Sequence, residues 1–179
     1  MKRIIIFLLV ISVILCGCSK QNNDIEDIVV EPEEEIEQLE EREIILYFSN
    51  SQAEYVVPEH RIIKVKKGIS HEDYAKIVLE ELIKGPKAEN LYKTIPEEVK
   101  VLYVKIEDDT IYIDFSKEMH TKHWGGAAGE DMTICSLANT MTELEGIKYV
   151  MPSVEGVALN IEHMIIEQPL ERMEERIYR

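Results

Sequence analysis

Two histidines three residues apart in His120-Thr121-Lys122-His123-Trp124, with Glu118 before them and Glu130 after, are residue types that bind a divalent metal. Zinc wants three or four ligands from fixed positions, and neither a Cys pair nor a His-Glu-x-x-His helix supplies them. The run reads as a polar surface loop, and no metal or cofactor is expected. Cys135 would be a nucleophile only as a thiolate, and nothing near it in sequence depresses a thiol pKa. It reads as a small residue at the edge of a helical core. Ser116 lacks the Gly-x-Ser-x-Gly elbow, and Asp114 with it reads as a strand-end cap. Gly125-Gly126-Ala127-Ala128-Gly129 has the glycines of an anion cradle without the Lys-Ser/Thr, and Glu130 and Asp131 would repel phosphate there. No catalytic residue is assigned, and the chain is expected not to be an enzyme. Contact chemistry is left: Trp124, the only tryptophan, with His123, Tyr103 and Tyr112, are the candidate interaction residues. Trp124 is either an exposed contact or a buried lid on the sheet, and the sequence leaves both open.

Covalent chemistry is written most clearly at the start of the chain. Lys2 and Arg3 are followed by the apolar run Ile4 to Leu15, then by Cys16-Gly17-Cys18. The run is shorter than the roughly 18 apolar residues that a spanning helix needs, and it has the layout of a signal peptide. Leu15, Gly17 and Cys18 resemble the lipobox of bacterial lipoprotein precursors. That resemblance implies cleavage after residue 17 and a diacylglycerol on Cys18, with acyl chains such as palmitate. Two or more chains on one Cys give lasting membrane attachment, where one chain alone is marginal. The expected location is the extracytoplasmic face of the cell membrane. Cleavage and lipidation then leave Cys135 as the only thiol, so no disulfide forms within the mature chain.

The 179-residue chain carries a net charge of −15, and loss of Lys2 and Arg3 makes it more negative still. Nucleic acid is disfavoured as a partner, because no phosphate-neutralising surface is expected. Eleven acids against one base, Arg42, fall between residues 24 and 43. Such a segment cannot bury a core, and residues 18–43 read as the lipidated Cys followed by a disordered acidic tether. From Ser19 to Arg42 it reaches at most about 80 Å at roughly 3.3 Å per residue.

The elements beyond residue 43 must position the candidate contacts. Ile44 to Phe48 predicts a first strand, Ala53 to Val57 and Arg61 to Lys66 two extended pieces paired as an edge hairpin, and Ser70 an N-cap opening a helix that Gly85-Pro86 stops. Val99 to Glu107 and Thr110 to Phe115 form a hairpin around Asp108-Asp109. Leu102, Val104, Ile106, Ile111, Ile113 and Phe115 face inward there, and Tyr103 and Tyr112 face outward. Ile134, Leu137, Ala138 and Met141 mark a second helix, and Lys148 to Val154 with Val157 to Ile161 form a second hairpin. The order argues for one α+β domain with two helices packed on one face of a mostly antiparallel sheet.

Several motifs in this order carry a family resemblance. They are Leu46-Tyr47-Phe48, Val57-Pro58-Glu59-His60-Arg61, Leu82-Ile83-Lys84-Gly85-Pro86, Thr94-Ile95-Pro96, Ile113-Asp114-Phe115-Ser116-Lys117-Glu118 and Gln168-Pro169-Leu170-Glu171-Arg172. Together they resemble the GerMN domain of sporulation and spore germination lipoproteins, over residues 44–172, with 173–179 as a tail. The resemblance implies a non-enzymatic envelope domain, similar in plan to ring-building modules, that binds another envelope protein. This chain has one such domain where other members have two, so homo-oligomer or ring formation stays open. The alternative is a small-ligand or cell-wall-binding lipoprotein that uses Trp124, Tyr103 and Tyr112 as a stacking platform.

Overall fold

A computed structural model of the chain describes residues 38–178. The signal peptide, Cys18 and most of the acidic segment lie outside the described residues.

Strands β1 (Leu39–Ser49) and β2 (Val56–Lys66) pair antiparallel along their whole length, from Leu39 opposite Lys66 to Ser49 opposite Val56. β1 starts five residues before the boundary expected at Ile44. The acids that marked Glu40 to Glu43 as tether face a basic partner strand: Glu41 sits opposite Lys64, and the Glu43 carboxylate lies 3.0 Å from His60 Nδ1. Cross-strand charge pairs of this kind make an otherwise self-repelling stretch compatible with a sheet. The two extended pieces expected on either side of Pro58 are one strand. Pro58 is tolerated because β2 is paired along its length only with β1, so its missing N–H breaks no second ladder.

Helix α1 (His71–Lys84) opens where expected: the Ser70 hydroxyl oxygen accepts from the Asp73 amide at 3.1 Å and donates to the Asp73 carboxylate at 2.7 Å. Ala75, Val78, Leu79, Leu82 and Ile83 form its buried stripe. Strands β3 (Val101–Glu107) and β4 (Thr110–Phe115) follow as the expected hairpin, with one correction. The pairing slips between Val101 and Tyr103, which places Val101 inside and leaves Leu102 exposed, where strict alternation put it in the core. A bulge of one residue has this effect on everything to one side of it.

A short helix α2 (Glu118–Thr121) leads to α3 (Ala127–Met141). The chain then returns as β5 (Tyr149–Val154), which pairs parallel to β4, from Thr110 opposite Tyr149 to Phe115 opposite Val154. Glu155-Gly156, both at positive φ, turn it into β6 (Val157–Ala158). The strand expected through Ile161 divides there. β7 (Asn160–Ile161) forms a small hairpin of its own with β8 (Met164–Ile165). β9 (Leu170–Glu171) closes on β5.

The result is an α+β fold: a two-stranded ribbon and a mixed, mostly antiparallel sheet, with α1 packed on β1 and β3 and α3 on β1, β5 and β9. Ile111, Ile113, Phe115, Val150 and Val154 give the sheet its inner face, against Leu79, Leu82, Leu137 and Met141 of the helices. Each such side chain contributes about 1.5–3 kcal/mol on burial. The tail expected beyond 172 belongs to this fold. Met173 packs on the core, Ile177 bridges to Val56, and the Tyr178 amide donates to the Val56 carbonyl at 2.9 Å.

Candidate functional site

The motif residues prove to be the clamps of the frame. Alternation along β2 points Arg61, Ile63 and Val65 inward, so a guanidinium is buried. Arg61 pairs with Glu59, donates to a Glu81 carboxylate oxygen at 2.8 Å, and donates to the Gly85 carbonyl at 3.0 Å. The second Glu59 oxygen accepts from the amides of Lys87 at 2.8 Å and Ala88 at 3.0 Å. β2 is thereby locked to the end of α1 and to the loop after Gly85. Burial alone would raise the carboxyl pKa of Glu59 and Glu81. The hydrogen bonds from Arg61, the Lys87 and Ala88 amides and Lys84 win, and both lie below their ordinary value.

Asp114 holds the β5 to β6 turn. Its Oδ1 accepts from the Ser153 hydroxyl at 2.6 Å and from the Gly156 amide at 2.8 Å. Ser116 instead takes the Lys100 amide at 3.0 Å, so the two residues cap different ends. Arg172 spans three elements, donating to the Tyr47 hydroxyl and pairing with Glu143, each at 2.8 Å. Neither Arg61 nor Arg172 stood out in the sequence as a positioning residue. The inward parity of Arg61 with Ile63 and Val65 was the signal that could have found it.

Of the candidate contacts, His123 and Trp124 come together in the loop between α2 and α3, with rings stacked at 5.1 Å. Trp124 is 52% exposed, so it is not a buried lid on the sheet. Its ring also fixes its neighbour: a Cβ on Gly129 would lie 3.0 Å from the indole nitrogen. His123 is wired as a structural residue. Its Nδ1 accepts from the Gly125 amide at 3.0 Å, so Nε2 carries the proton toward Thr133 Oγ1 at 2.8 Å, and Thr133 in turn donates to the Thr94 carbonyl at 2.6 Å. Burial lowers the His123 pKa, with Glu130 and Glu162 opposing it.

Tyr103 (54% exposed) and Tyr112 (39%) lie apart from that loop on the outer face of β3 and β4, with the bulged Leu102 beside them. Among the described residues no ring contact joins them to Trp124, so a single stacking platform is not formed. Tyr103 lies on β3 and Tyr112 on β4, and among the described residues β3 is an outer strand of the mixed sheet that pairs only with β4. A separate cleft of about 350 Å³ is lined by Asn50, Gln52, Asn90, Tyr92 and Tyr178, and Tyr178 stands edge-on to Tyr55 at 6.2 Å.

Cys135 is fully buried, with Met173 Sδ 3.5 Å away, and burial and the nearby Asp131 push its thiol up to about 12. A thiol in that state is inert at neutral pH. The weighed metal set also separates. His120 Nε2 accepts from the Asn160 amide at 3.4 Å, both nitrogens of His123 are engaged, and Glu130 turns instead to His163 and Glu162 of the β7 to β8 turn.

Fold and clamps together define the class: an α+β domain in which ion-pair nodes lock a hairpin ribbon and a mixed sheet around two helices. A family model described as Germane, sporulation and spore germination, matches residues 45–160, and the chain belongs to that family. Among solved structures it is similar to the tandem GerMN domains of the sporulation protein GerM from Bacillus subtilis, at 26% identity and a TM-score of 0.58. That match covers 74% of this chain and 45% of the other, so the chain spans under half the length of that structure. The first GerMN domain of the same protein matches at 21% identity and a TM-score of 0.54, over 73% of this chain and 98% of that one. A Clostridium perfringens protein described as a lipoprotein matches at 24% and 0.52, over 73% and 87%. The last two likenesses speak to the fold alone. No match was found among curated proteins. No helix among the described residues is long and apolar enough to cross a membrane.

Proposed function

We propose that this member of the family is an envelope lipoprotein, held by lipid at Cys18 on the extracytoplasmic face of the cell membrane. It acts there as a non-enzymatic assembly module in sporulation or germination. The observation that carries the reading is the outer face of β3 and β4, where Leu102, Tyr103 and Tyr112 stand exposed beside an outer strand with one open edge. Aromatic residues on a flat sheet face suit a protein surface, and an open edge can pair with a partner's backbone. The partner is a second envelope protein, with a further copy of this chain, as in a ring, the other candidate. Photo-crosslinking from positions 103 and 112 in sporulating cells tests this. A discrete protein adduct is expected from both and absent from position 80 on the exposed side of α1. Equal adducts from all three positions would sink the reading.

A wall-ligand role is the second reading, and the cleft beside Tyr92 and Tyr178 favours it, since rings and side-chain amides together suit a polar, ring-shaped ligand. Binding of soluble cell-wall fragments to the full chain, lost in Tyr92→Ala and kept in Tyr103→Ala, would select it over the assembly role.

A further inference from the structure

Glu130 is the most deeply buried carboxylate among the described residues, with its side chain 1% exposed. A buried carboxylate needs a cation or a dense set of donors. Its only ion-pair partner among the described residues is His163, whose Nδ1 lies 3.0 Å from Oε1 and whose ring is 70% exposed. A second carboxylate crowds the same nitrogen: Glu162 Oε2 stands 3.7 Å from His163 Nδ1. Two anions therefore converge on one imidazole, and one atom from each of the three residues falls within 4.8 Å of the others.

We infer that Glu130, Glu162 and His163 form a binding site for a divalent first-row transition ion, with Zn²⁺ the natural occupant. One neutral imidazole and two carboxylates are a donor set zinc accepts. Bonds of about 2.0–2.1 Å place neighbouring ligand atoms roughly 3.0–3.4 Å apart, depending on geometry. The separations of 3.0 and 3.7 Å to His163 lie close to that, and the two carboxylates, within 4.8 Å of each other, draw together by side-chain movement on binding. Glu162 is also held from outside the trio, since its Oε2 accepts from the Gly126 amide at 3.2 Å. A Cβ on Gly125 would fall 2.5 Å from its other oxygen, so the glycine leaves room for this carboxylate. Supporting contacts of this sort orient metal ligands. The exposed side, formed by Glu162 and His163, leaves remaining positions to water. The bound ion joins the β7 to β8 turn to the first turn of α3, beside the His123-Trp124 stack. None of these residues belongs to the face proposed for assembly, so the site and that role stand or fall separately.

The test uses the purified full chain in detergent, stripped with chelator and dialysed against zinc chloride. One tightly held ion per chain and a raised melting temperature are expected. His163→Asn and Glu162→Gln, both at exposed positions that the core does not depend on, each weaken the uptake at least tenfold. Glu130→Gln does the same if it folds. Absence of saturable uptake overturns the inference. So does uptake unchanged in His163→Asn and Glu162→Gln, which assigns the ion to the acidic segment between residues 24 and 43.

Discussion

At the scale of single residues, the strongest chemistry in this domain is spent on holding backbone. Arg61 has a 3% exposed side chain, and it ties β2 to the Gly85 carbonyl through a guanidinium that two carboxylates neutralise. Removing one partner of a buried pair costs about 3–5 kcal/mol, because the others stay buried without it. Arg61→Met is accordingly expected to lower the unfolding free energy by about 3 kcal/mol, read as a lower urea midpoint at constant slope. A loss under about 1 kcal/mol would show the clamp to be dispensable. The pH dependence follows from the depressed carboxyls of Glu59 and Glu81. The unfolded chain binds protons near the ordinary value of about 4.3, and the folded chain only below it. The stability these groups contribute is therefore complete above that pH and is lost as pH falls through the folded values. Glu59→Gln should flatten the acid limb of a stability-against-pH curve; an unchanged limb would place the acid sensitivity elsewhere. Cys135 gives the opposite kind of residue. With its thiol pushed up to about 12 inside the core, alkylation at a mildly alkaline pH should wait for unfolding and proceed only in urea.

At the scale of elements, α3 shows what the sequence revealed and what it hid. Ile134, Leu137, Ala138 and Met141 predicted the helix and one buried stripe, and both are present. The other faces are buried too, because α3 fills the space between β1 and the mixed sheet. Its hydroxyls serve the backbone of β1: Thr140 Oγ1 accepts from the Tyr47 amide at 3.0 Å, and the Ser136 hydroxyl donates to the Tyr47 carbonyl at 2.5 Å. A strand edge buried under a helix must find such partners. They cannot be read from helical periodicity, since Ser and Thr score as polar and point to solvent in any amphipathic reading. The bulge at Leu102 and the early start of β1 were hidden for the same kind of reason: each depends on a partner strand. By contrast Ser70, Gly85-Pro86 and Asp108-Asp109 act through local backbone chemistry and were legible at once. Ser136→Ala leaves the Tyr47 carbonyl without its donor and should cost about 1–3 kcal/mol in thermal or urea unfolding. No measurable change would mean that β1 finds another partner. The loop before α3 has a built-in reporter, Trp124 on His123. Protonating His123 would set an Nδ1–H against the Gly125 amide, so its charge and the loop contact exclude each other. Trp124 fluorescence should change as pH falls, with a midpoint below the ordinary histidine value of about 6.5. A midpoint above it would reassign the transition to His163, whose pKa its hydrogen bond to Glu130 raises.

At the scale of the whole molecule, the proposed function joins two ends that do different work. In that proposal the domain would offer its outer face and open strand, and lipid at Cys18 would decide which surfaces it can meet. Because β1 begins at Leu39, only residues 19–38 separate that Cys from the folded domain. Full extension at roughly 3.3 Å per residue bounds the distance at about 65 Å, shorter than a boundary at Ile44 would allow. In the tethered form proposed, the acids of this segment would be repelled by an anionic membrane surface within a Debye length of about 8 Å. A partner must then present its own surface within that reach, on the same membrane or on one closely facing it. The reach is set by whichever cysteine carries the lipid, and the two candidates separate cleanly. With Gly17 at the cleavage position, Cys18 is the expected acylated residue, whereas acylation of Cys16 would put bulky Leu15 there. Cells grown with an alkyne-tagged palmitate should label the wild-type chain and the Cys16→Ala variant to the same extent, and leave Cys18→Ala unlabelled. The Cys18→Ala chain should also keep its signal segment and run larger on a gel, since cleavage follows lipidation in the lipobox pathway. Label retained in Cys18→Ala and lost in Cys16→Ala would move the anchor and overturn the lipobox assignment. Label absent from all three would remove the tethered reading altogether and leave the open face of β3 and β4 to act in solution.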